Sequence, residues 1–453
     1  MEYKPHAYQK RMMEFVIEHP SCALFVDMGL GKTVTTLTAL QYLMDCLEVT
    51  KVLVVAPKSV AENTWTSEAA KWDHTRGLRV SVVMGTAAKR EKALQQDADI
   101  YVTNRDCVCW LASRYVRDPW PFDTVVLDES SSFKNPQSKR FKALKSLRPR
   151  IHRLIELTGT PSPNGLMDLW PQAFLLDYGE RLGRTLTAYR HTYFKPGRSN
   201  GFVVYEWKPL PGSRETITRR LSDICISMQA SDYLELPPVI EAGLDIALPA
   251  TQMRNYQQFE KDCLMDIDET TLEAVTAAAL SNKLLQFTGG SIYDSEHQWH
   301  SVSHAKLEAL EDIVESAGEP VLVYYAYQSE KERIMEQLKD YDPVAFKGEP
   351  EILTRWNEGR IRVLVCHPAS VAYGLNMQQG GHIIVWYTMS WNLELYQQAN
   401  ARLYRQGQTR PVMLYHLTCI GTIDERVRKA LVGKEHEQTS LLRSIKEMLS
   451  KRR

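Results

Sequence analysis

Ala23-Leu24-Phe25-Val26-Asp27-Met28-Gly29-Leu30-Gly31-Lys32-Thr33 is the stretch that decides the fold of this chain. Its first four residues form a continuous apolar run, which suits a strand of a parallel sheet buried on both faces. A helical stretch opens at its end, and two glycines lie between strand and helix. Glycines let backbone N–H groups converge on an anion. The helix N-terminus adds its orphan donors and its dipole. Lys32 is placed to reach the β- and γ-phosphates of a nucleotide, and Thr33 to hold Mg²⁺. The strict phosphate-loop pattern begins with glycine, where this chain has Val26.

Working outward, further apolar runs repeat the strand pattern. Val52-Leu53-Val54-Val55, Ile100-Tyr101-Val102, Thr124-Val125-Val126-Leu127 and Leu154-Ile155-Glu156-Leu157 belong to one series. Val321-Leu322-Val323-Tyr324, Val363-Leu364-Val365, His382-Ile383-Ile384-Val385 and Val412-Met413-Leu414-Tyr415 form a second. Polar or helical stretches separate them, which implies βαβ crossovers. The texture between the two series is different. It is first aromatic and basic, then carries Leu236-Pro237-Pro238, then becomes helical over 251–285. The expected architecture is α/β, with two parallel-sheet lobes and a largely helical insertion between them. The expected bounds are 1–165 for the first lobe, 166–303 for the insertion, 304–430 for the second lobe and 431–453 for a basic C-terminal tail.

Asp128-Glu129 ends the run Thr124-Val125-Val126-Leu127. Two acids at the carboxyl edge of a parallel strand fit a metal-assisted nucleotide site. Asp128 is expected to bind Mg²⁺, and Glu129 to orient and deprotonate the attacking water.

The 453 residues are 44% hydrophobic and 24% charged, an ordinary soluble composition. No apolar run approaches the roughly 20 residues that span a bilayer, and the first 20 residues lack an apolar secretion core. A cytosolic location without membrane attachment is expected. The eight cysteines are scattered and read as reduced thiols, since the one close pair, Cys107 and Cys109, lacks the second half of a zinc site. Net charge is zero, but its distribution is uneven. Residues 131–155 hold eight Lys or Arg and no acid; residues 231–320 hold 17 acids against four bases. One sign of charge gathered in one part of a chain suggests a polyanion-binding face. Ordinary solvated faces remain the other reading.

Several of these stretches, in this order, resemble the Swi/Snf ATPases of helicase superfamily 2. The segment Asp27 to Thr33 is similar to that family's first motif, and Val54-Val55-Ala56-Pro57-Lys58-Ser59 to its next. Asn63-Thr64-Trp65, Glu68 and Trp72 match the tryptophan-rich helix that follows. Leu157-Thr158-Gly159-Thr160-Pro161 is similar to the third motif, and Gln398-Ala399 with Arg402, Arg405, Gly407 and Gln408 resembles the last. The resemblance runs from about residue 8 to 428. It implies two RecA-like lobes and an ATP-driven motor on nucleic acid, with ATP and Mg²⁺ bound.

The resemblance also implies roles. Gln9 would read the adenine edge, with Gly29 and Gly31 cradling the phosphates. Thr158, Thr160 and Gln398 would couple the nucleotide site to the nucleic-acid track. Gly374, in Gly374-Leu375-Asn376, would sense ATP. Arg402 and Arg405 would face the γ-phosphate and neutralise transition-state charge. Lys58, Lys134, Lys139, Arg140, Asn376 and Trp391 are candidate nucleic-acid contacts, extended by Lys142 and Lys145. Motors of this kind grip phosphates without reading bases. Tyr189, Tyr193, Phe194, Phe202, Tyr205 and Trp207 lie among nine bases in 181–220 and either stack on nucleobases or form a small core.

Three departures stand out. Ser130 occupies the position where the family usually has His, which leaves the usual relay to the third motif in question. Thr388 stands where many relatives carry Asp. The chain ends soon after the second lobe, so a bare motor without reader modules is expected. Duplex or forked DNA is the expected partner, in replication, recombination or repair. A strand-separating DNA or RNA helicase, a nucleic-acid-binding scaffold with a decayed ATPase, and the motor subunit of a defence complex stay open, as does any protein partner.

Overall fold

The computed structural model describes residues 1–450 apart from 198, 200–203, 205, 235, 266–273 and 372–374, with the side chains of 263–278 and 440–450 also left undescribed. Its strands are, in chain order, β1 (Ser21–Val26), β2 (Val52–Ala56), β3 (Val80–Val82), β4 (Ile100–Asn104), β5 (Thr124–Asp128), β6 (Arg153–Thr158), β7 (Phe194–Pro196), β8 (Trp207–Pro209) and β9 (Cys225–Met228). They continue as β10 (Val239–Ile246), β11 (Ser291–Tyr293), β12 (Trp299–Ser301), β13 (Val321–Tyr324), β14 (Val344–Phe346), β15 (Val363–Cys366), β16 (Ile383–Trp386) and β17 (Val412–Cys419). The chain forms two compact units. One holds residues 1–234 with 434–453, the other 235–433.

The first unit is built on a seven-stranded sheet in the order β3-β4-β2-β5-β6-β1-β9. Every neighbouring pair in it is parallel. β2, β5 and β6 are buried at every residue, as continuous apolar runs require when helices cover both faces. The register sets Phe25 beside Thr158 and Asp128 beside Leu157. The carboxyl ends of β5, β6 and β1 therefore lie side by side, where ligands of parallel sheets bind.

The second unit is a six-stranded sheet in the order β10-β17-β16-β13-β15-β14, again parallel throughout. β13, β15 and β16 are wholly buried.

The segment expected as a separate insertion is divided between the units. It holds the helices Leu169–Asp177, Leu186–Tyr193 and Ser213–Leu221, then gives β9 to the first sheet and β10 to the second. The first unit thus extends to Leu234 rather than 165. β9 pairs with β1 because its four residues, Cys-Ile-Ser-Met, are all buried there. The expected tail is also different. Residues up to 450 continue the helix Ile423–Ser450, Gln438 is buried, and Arg214 Nη1 donates to Glu437 O at 2.7 Å within the first unit.

Candidate nucleotide site

β1 ends at Val26, and the loop after it turns twice through left-handed backbone, at Gly29 (φ 86°) and Gly31 (φ 79°). Glycine alone adopts such angles without strain. The helix Lys32–Asp45 then begins directly, with Gly31 at its N-cap, so its first N–H groups face the loop. Lys32 Nζ folds back over this loop and donates to Val26 O (2.6 Å) and Asp27 O (3.2 Å). Thr33 follows at the second helical position and is half-buried.

Gln9 is buried against the same loop. Its Nε2 donates to Leu30 O (3.3 Å), and its Oε1 accepts from His6 N–H (2.9 Å). A Cβ at Gly31 would sit 2.6 Å from Gln9 Nε2, so a side chain at 31 would displace the Gln9 amide and strain a left-handed backbone.

Asp128 and Glu129 differ sharply in setting. Asp128 is buried, and its Oδ2 accepts from Trp65 Nε1 at 2.9 Å. Burial pushes its carboxyl up from the ordinary value, opposed by the Trp65 bond and the charges of Lys32 and Arg105. Glu129 takes a left-handed conformation (φ 57°, ψ 62°) that costs a non-glycine residue about 1–3 kcal/mol. Strain of that size persists at sites where the surroundings fix it. Here Thr158 Oγ1 donates to Glu129 Oε2 (3.3 Å) and accepts from Thr160 N–H (3.0 Å). Gly159 lies against the start of the phosphate loop, where a Cβ would be in ordinary contact with Val26 O at 3.4 Å.

Two partners in this site were not read from sequence. Trp65 stands out in the sequence only as part of a motif, because its bond partner lies 63 residues away. Asp27 is half-buried, and its Oδ2 accepts from Ala230 N–H at 2.9 Å, which ties the phosphate loop to the backbone after β9.

In the second unit, the last motif lies on and after the helix Leu393–Asn400. Arg402 is buried, with Nε donating to Gln398 O (2.9 Å) and Nη1 to Leu375 O (3.0 Å). Arg405 Nη1 donates to the same Leu375 carbonyl (3.0 Å). Gln398, also buried, donates to Glu394 Oε1 (3.4 Å). Gly374 lies outside the described residues, whereas Asn376 is exposed and its carbonyl accepts from Asn357 Nδ2 (2.9 Å). Thr388 donates to Glu330 Oε1 at 2.7 Å. Glu330 is fully buried and pushed up to about 7 by burial, so the hydroxyl at 388 meets a carboxyl that an acid there would oppose.

The expected nucleic-acid face is partly dismantled. Lys139 and Lys142 are exposed on the helix Lys139–Leu147, Lys134 and Arg140 are half-buried, and Lys58 is exposed beside Glu62 (3.9 Å). Arg148 and Arg153 leave the basic run altogether. Both are buried and donate to main-chain carbonyls, Arg148 to Ile151 O (2.7 Å) and Arg153 to Val16 O (2.7 Å). Tyr189, Tyr193 and Phe194 are core residues, while Trp207 packs under Arg190 with the guanidinium 5.3 Å from its ring. Phe202 and Tyr205 lie outside the described residues. Trp391 remains about one-third exposed at 36%.

Residues 8–289 match the SNF2-related domain, and residues 305–407 match the helicase conserved C-terminal domain. The chain belongs to the SNF2-related family. This SNF2-related protein is an ATPase of the helicase-like kind. It is 38% identical to putative protein p41 of Acyrthosiphon pisum secondary endosymbiont phage 1, covering 98% of this chain and 99% of that one. It is 27% identical to the putative ATP-dependent helicase/translocase YwqA of Bacillus subtilis, over 92% of this chain but 46% of the other. It thus spans nearly all of the phage protein and less than half of the Bacillus one. Among solved structures, the Sulfolobus solfataricus SWI2/SNF2 ATPase core in complex with dsDNA is 21% identical with a TM-score of 0.46, covering 99% of this chain and 95% of that one. Among the described residues, no helix is long and apolar enough to cross a membrane.

Proposed function

We propose that this SNF2-related ATPase is a motor that hydrolyses ATP with Mg²⁺ to translocate on duplex DNA. The meeting of Lys32, Asp128, Glu129 and Thr158 at neighbouring strand ends of one sheet carries this reading. Lys32 and the amides at 29–33 bind the phosphates, and Gln9 borders the base. Thr33 and Asp128 fit a divalent cation by the chemistry of their donors, a hydroxyl and a buried carboxylate. Mg²⁺, when bound, offsets charge on the phosphate oxygens. Glu129 orients and deprotonates the attacking water, and Thr158 holds its carboxylate in place. The family resemblance assigns to Arg402 and Arg405 the neutralising of charge that develops at the γ-phosphate.

Lys139 and Lys142, exposed just after the acidic motif, support a phosphate-gripping face. The helicase/translocase description of the Bacillus relative supports movement along nucleic acid. The test is steady-state ATP hydrolysis without nucleic acid and with duplex, forked or single-stranded DNA or RNA. Strong stimulation by duplex or forked DNA is expected. Stimulation by single strands or RNA alone would replace the translocase reading with an unwinding helicase.

A further inference from the structure

Glu129 is followed at once by Ser130, and Thr160 by Pro161. One side chain joins these two points. Gln172, on the helix Leu169–Asp177, accepts from Ser130 Oγ at 2.9 Å through its Oε1. Its Nε2 donates to Pro161 O at 2.7 Å and to Asp168 O at 2.9 Å. Ser130 and Gln172 are both buried. The amide has a single workable orientation, because turning it would set its oxygen against two carbonyls.

The neighbours of Gln172 make its presence informative. Every residue from Leu169 to Leu176 of that helix is buried, and Trp170, Ala173, Phe174, Leu175 and Leu176 belong to the apolar core of the first unit. A polar side chain there loses its water and is tolerated only when every donor and acceptor is matched. Gln172 matches its oxygen and one N–H with the residues that follow Glu129 and Thr160, and its other N–H with Asp168 O.

We propose that Gln172 is a positioning residue, whose paired bonds to Ser130 and Pro161 hold the Glu129 turn against the Thr158–Thr160 segment. The Thr158 hydroxyl can then keep its bond to the Glu129 carboxylate. The proposal rests on Glu129 acting as the water-activating base. It places the connection between the two segments on a serine–glutamine pair, 42 residues apart in sequence.

The test uses the full chain and reads thermal stability, ATP KM, and kcat with and without duplex DNA. Gln172→Glu can still accept from Ser130 but cannot donate to Pro161 O. Gln172→Leu removes all three of the amide's bonds, and Ser130→Ala removes one. Each is expected to lower kcat about tenfold, the equivalent of one buried hydrogen bond or slightly more lost from the transition state, with KM for ATP changed less than about twofold. Ser130→Ala combined with Gln172→Leu is expected to cost no more than either alone, since both cut the same connection. Ser130→Thr, which keeps the hydroxyl, is expected to restore turnover. If Gln172→Leu does not fold, Ser130→Ala and Gln172→Glu carry the test.

Lower melting temperature with unchanged kcat in the folded variants would overturn the proposal and leave Gln172 a core residue. Glu129→Gln separates the two levels. If Glu129→Gln is inactive while the Gln172 and Ser130 variants turn over normally, only the positioning role falls. If Glu129→Gln turns over like the parent protein, the base assignment falls and takes the positioning role with it.

Discussion

Thr388→Asp puts a carboxylate where a hydroxyl now donates to Glu330 at 2.7 Å. Glu330 is fully buried, takes backbone N–H bonds from Ala326 (2.8 Å) and Tyr327 (3.3 Å), and has its pKa raised to about 7. Lys306, whose charge opposes that rise, is engaged by Asp424 at 2.8 Å. An acid whose folded pKa lies above its unfolded value binds more protons when folded. Stability therefore falls as pH rises from about 4.5 to 7 in the parent protein and levels off above that.

The substitution sharpens this dependence. At pH near 5.5 Glu330 keeps its proton and can donate it to the new carboxylate, so the cost is on the scale of one hydrogen bond, about 1 kcal/mol. At pH near 8.5 there are two limits. Two charges as close as the present 2.7 Å repel by about 6 kcal/mol at an effective dielectric of about 20. Holding one proton through that pH adds about 2 kcal/mol, at about 1.4 kcal/mol per pH unit. For a unit of this size each kcal/mol moves the melting temperature by roughly 2–4 °C. Relative to the parent protein, the variant is expected to melt about 2–4 °C lower at the acid pH and roughly 5–20 °C lower at the alkaline one. Scanning calorimetry at both pH values measures this. An equal drop at both, or a larger one in acid, would refute the reasoning.

Lys32→Ala is expected to abolish ATP hydrolysis by removing the cation that reaches the phosphates, and steady-state turnover reads this directly. Glu156→Gln tests a second buried acid: burial holds the Glu156 carboxyl well above its ordinary range, opposed by Ser130 and the charge of Arg148. The variant should therefore gain stability over the parent as pH rises above about 4.5, by at most about 1.4 kcal/mol per pH unit; a gap independent of pH in denaturant titrations would contradict this. Arg148→Met should destabilise by about 3–5 kcal/mol, because the guanidinium serves Ile151 O, Leu176 O and Ser21 Oγ from a buried position. Lys139→Ala, at an exposed position nine residues earlier, should leave denaturant stability unchanged and weaken DNA binding most at low salt.

The apolar strands were legible in the sequence because their burial leaves a continuous pattern. Ala23 to Val26, Val52 to Val55 and Val321 to Val323 needed only that pattern. β10 was not legible, since Glu241, Gly243 and Asp245 interrupt it; it is an edge strand whose residues are mostly exposed. The phosphate loop and the paired acids were visible because their chemistry is local. Gln172 and Trp65 were hidden because a side chain's role there depends on a partner 42 or 63 residues away. The basic run misled for a related reason. Charge counts do not distinguish Lys139, which faces solvent, from Arg148 and Arg153, which satisfy buried carbonyls.

The pairing of β1 with β9 also bears on how the chain emerges during synthesis. β1 carries the phosphate loop, yet the Asp27 carboxylate accepts from a backbone N–H 203 positions downstream. At roughly 5–20 residues per second, that interval lasts on the order of 10–40 seconds. Until β9 arrives, β1 presents an open sheet edge, and unpaired edges are prone to join other chains. The strand that begins the nucleotide site is among the first made and among the last to be enclosed.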